Sequence, residues 1–138
     1  MASKAAMLAR VPLFSQCTPR ELAHIARLGS SVRVTDGHRI IEEGAPGDAF
    51  YVIEKGAAVV SIGGESIDSL GAGDFMGELA LLDDLPRSAT VTATEATTLF
   101  MIESSDFSVF LEESSKVVIK MLATLTERIR AAQKAPTY

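Results

Sequence analysis

Residues 74–91 read DFMGELALLDDLPRSATV, and this stretch sets the terms for the rest of the chain. An apolar pair, Phe75-Met76, precedes Gly77-Glu78-Leu79-Ala80. Leu79, Ala80, Leu81 and Leu82 favour a helix, and Asp83-Asp84-Leu85-Pro86 stops it. The pattern predicts a single helical turn whose first N–H groups point at whatever lies beside Gly77. Such a terminus suits an anion, phosphate above all. Gly77 removes the side chain that would block close approach. Arg87 follows just ahead of the β-type run Ser88 to Ala93, where a guanidinium can fork onto two oxygens of one anion. Glu78 has the opposite preference: a carboxylate in the first turn can accept a hydroxyl proton, as from a sugar. The competing reading makes Glu78 a charge on a solvated helix end and Arg87 a surface cation after a turn.

The composition narrows the function classes. A chain of 138 residues with 47% apolar content fits one domain with a core of its own. Its formal net charge of −5 disfavours a nucleic-acid or anionic-membrane surface. The single cysteine, Cys17, allows no intrachain disulfide, which suits a reducing, cytoplasmic setting. Cys17 reads as a small apolar filler, because no activating partner stands near it in sequence. No apolar run approaches the length of a membrane span, and MASKAAMLARVPLF lacks the apolar core of a signal peptide.

Upstream, Val11-Pro12-Leu13-Phe14 is an apolar lead-in. Thr18-Pro19-Arg20-Glu21 then announces a helix, with Thr18 as N-cap, Pro19 at its first position and Glu21 closing a capping box. Leu22, Ile25, Ala26 and Leu28 form its apolar face, and Gly29 is its expected stop. From Ser31 the period becomes that of strands. Runs at Ser31 to Thr35, Arg39 to Glu42, Phe50 to Glu54, Ala57 to Ile62 and Glu65 to Leu70 are separated by Gly-rich turns, Gly63-Gly64 among them. Ser88 to Ala93 and Thr97 to Glu103 are two more. Many short strands with such turns argue a sandwich or barrel.

After Glu103 the helical period returns. Ser105 can cap a helix over Asp106 to Glu112, and Ser114 or Ser115 a second one running to about Lys134. Val118, Leu122, Leu125 and Ile129 make one apolar stripe on it, for packing or for a short coiled-coil seam. Ala135 to Tyr138 is an expected frayed tail. His24 and His38, without a carboxylate or cysteine grouping, disfavour a metal site. Nothing marks a nucleophile elbow or a base placed beside one.

GELALLDDLPRSATV (77–91), with IIEEGAPGDAFYVIEKG (40–56) upstream, resembles the phosphate-binding cassette and its approach in the cyclic nucleotide-binding domain family. That family includes protein kinase A regulatory subunits, cyclic-nucleotide-gated channels and catabolite-activator-type regulators. The resemblance covers nearly the whole chain. It implies a mainly β, α+β fold: an eight-stranded antiparallel β-roll of jelly-roll type, with an N-terminal helix, a short cassette helix and C-terminal helices. As one domain over 1–138, this divides into an N-terminal helical segment (1–30), the roll (31–103) with its cassette (74–91), and C-terminal helices (104–134) that act as a lid.

The resemblance also implies roles. The backbone of Gly77, Leu79 and Ala80 should face a cyclic phosphate, Glu78 should hold the ribose 2′-hydroxyl, and Arg87 should pair with the charged oxygen. Ser88 and the N–H of Ala89 should add hydrogen bonds. Val60, Ile67 and Met76 fall at the apolar walls of the base, and Arg128 at a lid contact to it. Arg87-Ser88-Ala89 favours cAMP with tolerance of cGMP. The expected protein is therefore a non-enzymatic sensor, a monomer or weak dimer without metal or cofactor. It would act on an unknown or fused effector and neither bind nucleic acid nor insert in a membrane. The alternatives are a structural domain that has lost its ligand, and the sensor part of a transcription regulator without a DNA-binding domain.

Overall fold

The computed structural model of the protein describes residues 3–83 and 85–133, and these fall into two compact units. Asp84 of the expected helix stop, Lys134 and the tail Ala135 to Tyr138 lie outside the described residues.

The first unit, residues 28–108, holds the strands. β1 (Ser30–Val34), β2 (Arg39–Ile41), β3 (Ala49–Lys55), β4 (Ala57–Ile62), β5 (Glu65–Gly71), β6 (Phe75–Met76), β7 (Thr90–Ala93) and β8 (Thr97–Glu103) follow in chain order. They form two four-stranded antiparallel sheets, ordered β1-β8-β3-β6 and β2-β7-β4-β5. Inward residues of the two sheets build the core between them. Ile41, Ala58 and Val91 of one sheet meet Ile53, Met76 and Leu99 of the other, with Val60 and Leu70 packed against that cluster. β3 and β8 are buried on their second face too, through Phe50, Val52, Phe100 and Ile102. That explains their near-continuous apolar sequence.

β4 and β8 have the ends that the sequence predicts, and most others shift by a residue or two. β6 is a larger departure: the apolar pair Phe75-Met76 is a strand, paired with Val52 and Tyr51 of β3. Two residues are too few for any period to show. Gly29 also differs in role. The preceding helix ends at Ala26, and a Cβ at Gly29 would run into the Phe100 ring. Close packing, rather than a helix stop, is what requires glycine there.

The second unit comprises residues up to 27 and those from 109 onward. It contains α1 (Lys4–Leu8), a 3₁₀ turn (Pro12–Phe14), α2 (Pro19–Ala26), the end of α3 (Ser104–Glu112) and α4 (Ser115–Ala132). The capping box at Thr18 and Glu21 forms in both directions. α1 spans five residues, too short to announce itself by periodicity. Leu22, Ile25, Phe110, Val117 and Met121 are buried in this unit, and Glu21 accepts a hydrogen bond from Lys120.

The buried face of α4 is Val117, Met121 and Thr124, one position ahead of the expected stripe. Leu122 and Ile129 stand 58% and 60% exposed. Both sets repeat at three and four residues, and Val117-Val118-Ile119 is apolar throughout, so spacing alone left the face open. Thr124 can be buried because its hydroxyl donates to the Lys120 carbonyl at 3.1 Å. Among the described residues no helix is long and apolar enough to cross a membrane.

Thr18→Ala should lower the stability to thermal unfolding by about 1 kcal/mol, the usual worth of such a cap. The hydrogen bond from Lys120, followed by that from the Thr18 backbone, holds the Glu21 carboxyl below its ordinary pKa. Its contribution is therefore complete above the ordinary carboxylate range and disappears as pH falls through the lowered value. Acid unfolding of Lys120→Met should show a shallower pH dependence than that of the parent chain; superimposable curves would contradict the pairing.

Candidate ligand-binding site

The site grows from the end of β6. Gly77 takes φ +76°, in the left-handed region, and turns the chain out of the sheet into a 3₁₀ turn, Glu78–Leu81. Pairing with β3 holds the backbone up to Met76, and the turn buries Ala80 and Leu81. The expected helical turn is thus present in its tighter form. It closes by a hydrogen bond from the Ala80 N–H to the Gly77 carbonyl at 3.1 Å. The Ala80 amide, expected to face an anion, is engaged inside the turn.

Arg87 returns the chain to this turn. Its N–H donates to the Ala45 carbonyl and its own carbonyl accepts from the Gly44 N–H, both at 2.8 Å, so its backbone is clamped to the loop before β3. Its side chain is only 9% exposed. Nη2 donates to the Ala49 carbonyl at 2.6 Å and lies 3.9 Å from Oδ1 of Asp48. Asp48 is 85% exposed, so this ion pair is weak by distance and by solvation. A Cβ on Gly77 would run into Nη1 of Arg87. Glycine is needed here twice, for the left-handed backbone and for the seat of the guanidinium. Arg87 as a solvated surface cation is excluded by this burial.

Two adjoining hollows share Phe75, Met76, Gly77, Arg87 and Ser88. One, of about 390 Å³, is lined by Gly77, Glu78, Leu79, Ala80, Arg87 and Ser88 and so carries the charged and hydroxyl side chains. Oε2 of Glu78 is buried. The other, of about 250 Å³, is lined by Ile41, Val60, Leu70, Met76, Ala89 and Val91, all apolar. Together they have the size and the mixed character of a small-molecule site: a cation and a carboxylate at one end, a greasy slot at the other. Tyr51, half-buried on β3, has its phenol pushed up, first by burial, then by Asp48, with Arg87 opposing.

Among the residues predicted for a ligand, the turn residues with Arg87 and Ser88 line the first hollow, and Val60, Met76 and Ala89 line the second. Ile67 does neither. Val60 pairs with Asp68 and Ser61 with Ser66, so Ile67 falls in a bulge on the edge strand and is 57% exposed. Leu70, opposite Ala58, is the wall that β5 supplies. Arg128 is an exposed residue of α4, in the helical unit. The sequence reading missed Ile41, Leu70 and Val91. Their signal is the inward set of the strand alternation, legible once the bulge fixes the register of β5.

Gly77→Ala should destabilise the chain by about 1–2 kcal/mol through its left-handed backbone alone. The clash with the guanidinium should add to that. In an Arg87→Ala background the penalty should shrink, because the neighbour that the methyl strikes is gone. Equal penalties in both backgrounds, read by denaturant unfolding, would contradict the close seat.

Residues 31–114 match the family model of the cyclic nucleotide-binding domain. A cAMP-dependent protein kinase regulatory subunit of Aspergillus fumigatus is 50% identical over 91 residues, 64% of this chain and 22% of that protein. A cyclic nucleotide-gated potassium channel of Mesorhizobium japonicum is 35% identical over 129 residues, 94% of this chain and 36% of that protein. The chain thus spans well under half the length of these relatives. The crystal structure of the N-terminal domain of a transcriptional regulator from Streptomyces coelicolor superposes with a TM-score of 0.86 at 27% identity, covering 96% of this chain and 98% of that one. By its sequence match and its pair of four-stranded sheets, this chain belongs to the cyclic nucleotide-binding domain family.

Proposed function

We propose that the chain is a regulatory sensor that binds a cyclic nucleotide, cAMP with tolerance of cGMP, and performs no catalysis on it. The observation that carries this reading is Arg87: a guanidinium 9% exposed, held by one backbone carbonyl, at the junction of a polar and an apolar hollow. A buried cation is costly unless a partner completes its hydrogen bonds, and a ring phosphate is such a partner. In this reading Arg87 pairs with the charged oxygen. Glu78 accepts from the ribose 2′-hydroxyl, Ser88 and the N–H of Ala89 donate to the phosphate, and Val60 and Met76 bound the base.

Base choice rests on Ser88, whose side chain is exposed beside Ala89. It offers a hydroxyl without the methyl that restricts a threonine rotamer. Output requires the nucleotide to bind two states with different affinity, and the C-terminal helices are the element that a cytoplasmic partner or fused effector would read. The Streptomyces structure favours a sensor that serves transcription, and the kinase and channel relatives favour a kinase or channel effector.

Calorimetric titration tests the assignment. Arg87→Ala should cost about 2–5 kcal/mol of cAMP binding, the usual loss when a desolvated charge pair is truncated. Glu78→Ala should cost about 1.5–3 kcal/mol and Ser88→Ala about 1 kcal/mol, as bonds with and without a charged partner. Equal losses would contradict the roles, cGMP binding clearly tighter would overturn the base choice, and no binding of either would leave a structural domain.

A further inference from the structure

The polar hollow has an uneven charge inventory. Among the described residues that line it, Arg87 is the one cationic side chain, whereas Glu78 and Asp83 are both in the wall. Asp48, on the loop before β3, adds a third carboxylate 3.9 Å from Nη2 of Arg87. That distance is too long for a hydrogen bond, so Asp48 faces the guanidinium without occupying it. Asp83 follows the cassette turn, and its Oδ1 accepts from the Leu85 N–H at 3.3 Å. Tyr51 on β3 feels both Asp48 and Arg87, and its raised pKa keeps it neutral. A ligand with one negative charge finds one cation here. A second charge on the same phosphate finds no second cation among the described lining residues, with Glu78 and Asp83 in the wall and Asp48 beside the guanidinium.

We propose that Asp48 and Asp83 set a charge limit at this site, admitting a singly charged phosphodiester and rejecting a doubly charged phosphomonoester. The proposal rests on the cyclic-nucleotide reading and deepens it. A cyclic phosphate keeps a single charge near neutral pH, whereas a monoester gains its second at a pKa of about 6. Selection of the ring-closed nucleotide over its linear counterpart is then partly electrostatic, not only a matter of ring shape. In a site open to water, each carboxylate should weaken a second ligand charge about threefold to tenfold.

The test is competition binding to the full chain with cAMP, 5′-AMP and the methyl ester of 5′-AMP, which is open-ringed but singly charged. As pH falls from about 8 to about 5.5, the affinity of 5′-AMP relative to cAMP should rise by about threefold or more as its second charge is lost. That of the methyl ester relative to cAMP should stay flat, and at the higher pH the ester should bind better than 5′-AMP. Asp48→Asn and Asp83→Asn should each raise the 5′-AMP to cAMP ratio about threefold at the higher pH. Using ratios removes any general effect of Asp48 on Arg87. A ratio that ignores both pH and the two substitutions, with the methyl ester no better than 5′-AMP, would overturn the charge limit while leaving the cyclic-nucleotide reading intact. Failure of the parent chain to bind cAMP would sink that reading and the limit with it.

Discussion

A guanidinium with nine-tenths of its surface covered has to be held by something, and the hydrogen bond from Arg87 to the Ala49 carbonyl does this. Burying a cation costs several kcal/mol unless its donors find acceptors. The pair with Asp48 is too long and too wet to offset that cost, whereas the 2.6 Å bond to a backbone carbonyl fixes the head group without neutralising it. The charge is thereby positioned and kept. Three pieces of chain must agree for this to work. The loop before β3 holds the Arg87 backbone through its N–H and its carbonyl, β3 presents the carbonyl of Ala49 at its first residue, and Gly77, having no Cβ, leaves room for Nη1.

The sheets exist, in this view, to bring those pieces together. β3 lies inside its sheet, between β8 and β6, with both faces buried. Its N-terminal end carries the acceptor for Arg87, and its middle pairs with β6, which delivers Gly77. The inner faces of β2, β4, β5 and β7 supply Ile41, Val60, Leu70 and Val91, the apolar half of the site. A polar lobe built from turns and an apolar lobe built from strand faces follow from what each can offer: turns free backbone groups, and strand faces do not.

The sequence made the chemistry of the cassette legible and left its geometry open. Gly77, Glu78 and Arg87 could be singled out because their residue types fit one anion and one hydroxyl at short spacing. The strands at Ala57–Ile62 and Thr97–Glu103 were legible from alternation and turn residues. What stayed hidden depended on tertiary pairing. β6 is two residues long and is a strand only because β3 lies beside it. Ile67 looked like a wall residue until the bulge after Val60 displaced it in favour of Leu70. The buried face of α4 was ambiguous because two adjacent apolar sets satisfy the same period, and packing chose Val117 and Met121.

In the proposed function the Arg87 side chain meets a ligand phosphate directly. Nitrogen-detected or ¹H–¹⁵N NMR of the Arg87 Nε–H group, followed through a cAMP titration, reads that contact without any substitution. A large shift and slowed solvent exchange of this one resonance are expected, saturating together with the amides of Leu79 and Ala89. An Arg87 resonance that does not move while cAMP saturates the chain, with the changes clustered elsewhere, would contradict it.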